Sequence, residues 1–441
     1  MNAAPAPLLP VRYLTHEIPG IGGLIKQRPE DFLVDEIPAY DPVGEGEHFY
    51  MLVQKRNVAT LEMLKILANH FEVDRSAVGY AGLKDKAAIT RQVVSIHAPG
   101  RKLDETPSLR DERLQILWTD YHTNKLRRGH LIGNRFSVRI RGVKPTDVLA
   151  ANRVLQRLAS EGVPNALGEQ RFGLLANNHL VGRHLVRGDF ASAVNELLGP
   201  NAAHPERNTE ARARFQVGDF GEALHLFPRN AHAERAVLRS LARRNSAKRS
   251  FFAIERTLLR FYVSAFQSAV FNRVLDERLK AGTLRALLEG DIAIKHLNQS
   301  VFDVTGEVAA DAGTVARLIA FEISPSGPMW GGGMKRAGGG TGAAELEALL
   351  ASGVTVEELE SFTMRNRTLI GGERRSLRVP VIDPEVEGGV DEHGAYVRCA
   401  FELPKGSFAT IVLREIMKVD DEDTGGDEGI EEAAGEPCDE R

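Results

Sequence analysis

Along the first 170 residues, short apolar runs of strand length alternate with segments of helical period. Phe32, Leu33, Val34 and Ile37 form a run closed by Pro38, and residues 48–54 (HFYMLVQ) form a second, both predicted as strands. Leu61, Leu64, Leu67, Ala68 and Phe71 then recur at helical spacing, with Thr60 as the predicted N-cap. Residues 92–96 read as another strand. The clearest alternation is Phe136-Ser137-Val138-Arg139-Ile140-Arg141, apolar on one face and polar or basic on the other. Near the other end, 396–403 repeats the strand pattern ahead of Pro404 and Gly406, and 409–417 reads as a closing helix.

The middle differs. From about Leu174 to Ile370 the pattern is mostly helical, with basic clusters at Arg243, Arg244, Lys248 and Arg249 and at Arg365 and Arg367. The simplest architecture is α+β: a domain built from both chain ends (1–170 and 371–418) around a largely helical insert (171–370), followed by a tail (419–441).

Charge sharpens that division. The 441 residues hold 56 Lys plus Arg and 60 Asp plus Glu, a formal charge of −4, which taken whole argues against a nucleic-acid partner. Residues 419–441, however, carry eleven acids and one arginine, leaving 55 bases and 49 acids in the body. The tail has few aromatic or β-branched residues and is expected to be disordered. Two cysteines, Cys399 and Cys438, are too few for a disulfide framework. The first ten residues lack the basic and apolar regions of a secretory signal. No apolar run approaches the roughly 20 residues that cross a bilayer, since 251–270 is broken by Glu255, Arg256 and Arg260. A cytoplasmic protein without membrane contact is expected.

No glycine loop followed by Lys-Ser/Thr, no HExxH, no CxxC and no GxSxG occurs, so nucleotide hydrolase, zinc protease and serine esterase have no motif support. The glycine-rich stretch 331–342 reads as a surface loop, with a phosphate cradle ahead of the next helix as the alternative. More informative is Tyr80-Ala81-Gly82-Leu83-Lys84-Asp85-Lys86, where a carboxylate lies between two lysines after a glycine and before a strand. Such an aspartate is either a solvated turn or a group kept ionised for nucleophilic or base chemistry.

Six ordered blocks resemble the TruD family of pseudouridine synthases: Lys26-Gln27-Arg28-Pro29-Glu30-Asp31-Phe32 with Gly44-Glu45-Gly46-Glu47-His48; residues 81–92; Gly133-Asn134-Arg135-Phe136; Gly162-Val163-Pro164-Asn165 with Gly168-Glu169-Gln170-Arg171-Phe172-Gly173; Ser264-Ala265 with Phe271-Asn272; and Leu403-Pro404-Lys405-Gly406-Ser407-Phe408-Ala409-Thr410 with Arg414-Glu415. One departure stands out: Ala166 and Leu167 occupy positions where the family usually has two aromatics.

The resemblance implies a pseudouridine-synthase catalytic domain, with a mixed or antiparallel sheet flanked by helices, that isomerises uridine in RNA. The expected substrate is tRNA, at uridine 13 of the D arm, and no cofactor or metal is required. It implies Asp85 as the catalytic carboxylate, Lys26 as its partner, and Asn134, Phe136 and Phe408 as pocket residues. Phe136 also reads as a plain core residue of its strand. Lys84, Lys125, Arg127, Arg128 and Arg135 are expected to meet RNA, together with His130, Arg139 and Arg141 on a basic ridge; Arg243 and Arg244 of the insert are expected to grip a second part of it. A monomer without an obligate protein partner is expected. The competing reading is an RNA-binding or RNA-chaperone protein of the same fold without catalysis.

Overall fold

The computed structural model describes residues 12–105, 108–201, 204–244 and 246–419; the expected acidic tail, apart from Val419, lies outside the described residues. Among the described residues the chain forms two compact units, one of Leu14–Val163 with residues 379–419, the other essentially Pro164–Arg378. In chain order, the first unit contributes β1 (Phe32–Pro38), β2 (His48–Arg56), α1 (Thr60–His70), β3 (Val78–Tyr80), β4 (Ile89–His97), β5 (Leu114–His122), β6 (Leu131–Arg141) and α2 (Val148–Glu161). Short strands β7 (Val163–Pro164) and β12 (Arg378–Val379) mark the two passages between units. The second unit contains α3 (Asn178–Arg187), α4 (Phe190–Leu198), α5 (Thr209–Gln216), α6 (Phe220–Leu226), α7 (His232–Arg244), α8 (Ala247–Phe251), α9 (Arg256–Lys280), β8 (Ile292–Lys295), β9 (Val301–Asp303), α10 (Gly306–Ala310), α11 (Ala312–Ile319), β10 (Ile323–Met329), α12 (Gly339–Ala351), α13 (Val356–Arg365) and β11 (Glu373–Ser376). Back in the first unit, β13 (Ile382–Asp391), β14 (Gly394–Pro404) and α14 (Ala409–Met417) complete the fold.

The first unit is built on one mixed sheet of order β13-β14-β6-β1-β4-β2-β5, with β3 also paired to β4. Only β1 and β4 run parallel; the remaining neighbours are antiparallel. Directly opposed residues share a face. Lys55 opposes Thr90, Thr90 opposes Val34, Val34 opposes Phe136 and Phe136 opposes Phe401, so one row crosses five strands. On the same face Phe49, Met51 and Val53 of β2, with Val94 and Ile96 of β4, pack against Met63, Leu64, Leu67 and Phe71. Each such side chain contributes about 1.5–3 kcal/mol by leaving water. Thr60 proves to be the first helical residue, with Ala59 at the N-cap position. Its buried hydroxyl bonds Lys84 and Gln92 and has no capping role.

The second unit is less purely helical than its pattern predicts, because it also carries a four-stranded antiparallel sheet of order β11-β10-β8-β9. Its central strand β10, ISPSGPM, is buried throughout. Two prolines, two serines and a glycine hid it, for neither apolar alternation nor β-branched enrichment marks the segment. The glycine-rich stretch is also not a free surface loop. Gly333 N–H donates to Gly371 O at 2.8 Å, and a Cβ on Gly331 would lie 2.5 Å from Gly372 N. These glycines permit two backbones to touch, and the later ones open α12. Among the described residues no helix is long and apolar enough to cross a membrane.

Candidate active site

The loop from Ala81 to Ala88 joins β3 to β4 and is held from beneath by buried polar side chains of the surrounding elements. Lys55, fully buried on the packed face of β2, donates to the carbonyls of Val58 at 2.6 Å, Lys84 at 3.2 Å and Asp85 at 2.6 Å. Thr60 Oγ1 accepts from Lys84 N–H at 2.9 Å, and Gln92 Nε2 donates to Gly82 O at 3.2 Å. Lys84 Nζ donates to the buried Glu36 carboxylate at 2.6 Å, which also accepts from Val93 N–H at 3.1 Å. Removing one partner of a buried pair of this kind costs about 3–5 kcal/mol. The loop backbone is therefore fixed while its next side chain, Asp85, points out with 34% exposure.

Lys26 completes the arrangement. Its Nζ donates to Asp85 Oδ1 at 2.7 Å and lies 4.6 Å from the centre of the Phe32 ring. Its backbone is left-handed, φ 56°, a conformation uncommon outside glycine and one found at functional sites. Burial pushes the Asp85 carboxyl upward, but the Lys26 charge and hydrogen bond, the Lys55 charge and a backbone hydrogen bond outweigh it and hold its pKa below the ordinary value. Asp85 is thus an ionised, accessible carboxylate on a rigid loop, flanked by two ammonium groups.

Asn134 and Phe136 project from β6 on the face of the row that contains Lys55, Thr90 and Val34, with Asn134 opposite Glu36 and Leu403. Asn134 Oδ1 is buried without a hydrogen-bond partner, and so is Ser407 Oγ in the turn after β14. Unpaired buried acceptors are rare and call for an explanation. The two segments meet closely, since a Cβ on Gly133 would lie 2.2 Å from Leu403 O and only glycine fits. Phe136 is 6% exposed, edge-on to Phe32 at 6.4 Å and tilted against Phe401 at 5.8 Å, so it is a core residue of the sheet. Phe408 is half-buried where the chain enters α14.

The cationic positions fare differently. Lys84 is buried against Glu36, so it presents no charge to RNA. The ridge on β6 is neutralised: Arg135 pairs with Glu385 and Glu402, Arg139 with Asp391, and Arg141 with Asp31 and Asp391. Arg141 is itself buried. His130 Nδ1 lies 2.7 Å from Tyr40 Oη. Arg127 and Arg128 are exposed and Lys125 half-exposed in the segment before β6, with Arg128 Nε donating to Tyr80 Oη at 2.8 Å. Arg243 and Arg244, both exposed, close the last turn of α7 in the second unit, where their charge also complements the helix dipole.

Sequence reasoning missed Lys55, Glu36, Gln92 and Ser407 as parts of the site. Lys55 had a signal: it continues the Phe49, Met51, Val53 alternation and so belongs on the packed face. Ala166 and Leu167 are core positions of the second unit, and Asn272 holds the Leu167 backbone by two bonds of 2.9 Å. Small and aliphatic side chains satisfy that environment. Among the described residues no three histidine, cysteine, aspartate or glutamate side chains converge as a metal site.

A family model described as tRNA pseudouridine synthase D (TruD) matches residues 9–416. The tRNA pseudouridine synthase D of Geobacter metallireducens is 43% identical over 409 residues, covering 92% of this chain and 98% of the relative. That of Geobacter sulfurreducens is 44% identical, with 92% and 97% covered. The crystal structure of the Methanosarcina mazei TruD protein superposes with a TM-score of 0.78 at 31% identity, covering 92% of this chain and 96% of that one.

Proposed function

From the premise that this chain belongs to the TruD family of tRNA pseudouridine synthases, we propose that it isomerises a uridine of tRNA to pseudouridine, with Asp85 as the catalytic carboxylate. The observation that carries this reading is the Asp85 carboxylate itself, accessible and kept ionised between Lys26 and Lys55. The N1–C1′ bond of the uridine breaks, the uracil turns, and a C5–C1′ bond forms. The C5 proton is lost and N1 ends protonated, so atoms and electrons balance without a redox partner. Whether Asp85 attacks the sugar, attacks the base or removes a sugar proton, it must be ionised to act.

Asn134 Oδ1, an acceptor without a protein donor, suits the N3–H of uracil. Phe136 backs the pocket from the sheet core, and Phe408 lines the other side of the pocket. Lys26 holds the carboxylate in place. Lys125, Arg127 and Arg128 meet the RNA backbone, while Arg243 and Arg244 engage the same RNA from the second unit. Extruding a stacked uridine costs a few kcal/mol, which such contacts offset. The reaction takes place in the cytoplasm with the protein as a monomer, on uridine 13 of the D arm.

Incubating the protein with unmodified tRNA and mapping pseudouridine by carbodiimide adducts and primer extension tests the site choice. A new stop assigned to position 13 is expected. A stop at another uridine would overturn the position, and no stop in any tRNA would overturn the enzyme.

A further inference from the structure

A backbone hydrogen bond ties the start of the catalytic loop to a segment that carries a cluster of cations. Gly129 N–H donates to Ala81 O at 2.8 Å, Leu126 N–H donates to Ser95 Oγ at 3.0 Å, and a Cβ on Gly79 would lie 2.3 Å from Leu126 O. Lys405 Nζ, from the turn after β14, donates to Gly129 O at 3.0 Å. The segment 125–130 is therefore laid directly along β3 and the start of the loop that carries Asp85.

Arg75, which the sequence did not single out, joins it. Its guanidinium lies 5.9 Å from the Tyr80 ring centre and that of Arg128 lies 5.2 Å from the same ring. Lys125 Nζ donates to Ser76 O, one residue from Arg75. Burial lowers the pKa of both Arg75 and Lys125; Tyr80 opposes the shift at Arg75 while Arg128 adds to it, and Arg75 and Arg127 add to the shift at Lys125. Among the described residues none of Arg75, Lys125, Arg127 and Arg128 forms an ion pair, whereas the three arginines of β6 all do. Four cations crowded without a counter-charge cost free energy in the free protein, and a polyanion relieves that repulsion. Guanidinium forks match phosphate oxygens in pairs, and Tyr80 fixes two of them at a common platform.

We propose that Arg75, Lys125, Arg127 and Arg128 form one site for consecutive RNA phosphates flanking the reacting uridine, held in register with Asp85 by the Gly129–Ala81 hydrogen bond. The site rests on the RNA-modifying reading above and deepens it by assigning where the backbone is gripped. A phosphate docked here is joined to the loop that carries the carboxylate through the Gly129–Ala81 backbone hydrogen bond.

The test uses the full chain, unmodified tRNA, and the variants Arg75→Gln and Arg127→Gln. Each is expected to weaken tRNA binding about tenfold at low salt, the loss of one charged contact. Each should also flatten the slope of log K against log salt by about 0.7–0.9. In short RNA substrates, neutral methylphosphonates placed singly beside the target uridine should weaken the wild type at one or two positions and add nothing further in Arg75→Gln. Unchanged affinity and salt slope in both variants, with a wild type that binds normally, would overturn the site. Full additivity of every methylphosphonate with Arg75→Gln would overturn it as well. A wild type that binds tRNA with these dependences but does not isomerise it would sink the catalytic reading and leave the phosphate site standing; a wild type that binds no tRNA would sink both.

Discussion

Arg135, Arg139 and Arg141 on β6 and the group Arg75, Lys125, Arg127 and Arg128 beside β3 are the two basic regions of the catalytic unit, and they differ in what surrounds them. Each β6 guanidinium meets at least one carboxylate, supplied by Asp31, by Glu385 and Asp391 of β13, and by Glu402 of β14. The Asp391 carboxyl is held well below the usual range, chiefly by its hydrogen bond from Arg141. Beside β3, Lys125 meets one backbone carbonyl, and Arg75 and Arg128 share one tyrosine. The first region joins the two chain ends into one sheet, and the second has no counter-charge among the described residues. Density of Arg and Lys in a sequence therefore does not separate a structural clasp from a binding surface; the location of the acids does.

The contrast is broken most strongly at its buried member. Arg141→Met strips the guanidinium from Asp31, which is fully buried, and is expected to cost about 3–5 kcal/mol in denaturant unfolding. A loss below about 1 kcal/mol, the range of exposed pairs, would show that the clasp does not hold the sheet.

Next in size is Lys26→Met. Without that ammonium the opposing effect of burial on Asp85 gains weight, so its pKa rises. A carboxylate with a depressed folded pKa supports activity and stability above that value and loses both as pH falls through it. The variant should therefore lose about 10²-fold in single-turnover rate, on the order of 2.7 kcal/mol, and the acidic limb of its pH–rate profile should move to higher pH. An unmoved limb would separate Lys26 from the ionisation of Asp85.

Smaller effects sharpen the comparison between units. Arg243→Gln with Arg244→Gln should weaken tRNA binding by less than about tenfold and flatten its salt dependence, as filter binding across salt concentrations will show. An unchanged slope would leave these residues with only their helix-terminal role. Smallest of all, Arg135→Gln should cost less than about 1 kcal/mol, as a part-exposed pair does, with tRNA affinity unaltered. A tenfold loss of affinity would move Arg135 from the clasp to the binding surface.

Much of the catalytic unit was legible because its strands and closing helix follow simple periods. The segment from Phe136 to Arg141, the run ending at Pro38 and the helix over 409–417 all lie inside strands or helices of the expected type. Asp85 and Lys26 were legible through ordered blocks, and neither string alone separates a catalytic carboxylate from a solvated turn. What stayed hidden was long-range pairing. Arg141 bonds Asp391, 250 positions away, and Lys84 bonds Glu36, 48 away, so both cations look solvent-facing until the sheet is assembled. Lys55 was missed, although it continues the alternation of β2, because a lysine just past an apolar run reads as the polar end of the strand, while in the fold it supplies the buried donors that fix the Asp85 carbonyl. Strand β10 was hidden because its prolines and glycine carry no strand signal and its place is set by neighbours on both sides.

Release of tritium from tRNA labelled at uridine C5 tests the central claim most directly, since formation of the C5–C1′ bond must expel that atom. The wild type should release label in proportion to pseudouridine formed. Asp85→Asn should bind the same tRNA with comparable affinity and release label slower by several orders of magnitude, as loss of a catalytic nucleophile or base requires. Release by Asp85→Asn at the wild-type rate would remove Asp85 from the chemistry and contradict the account.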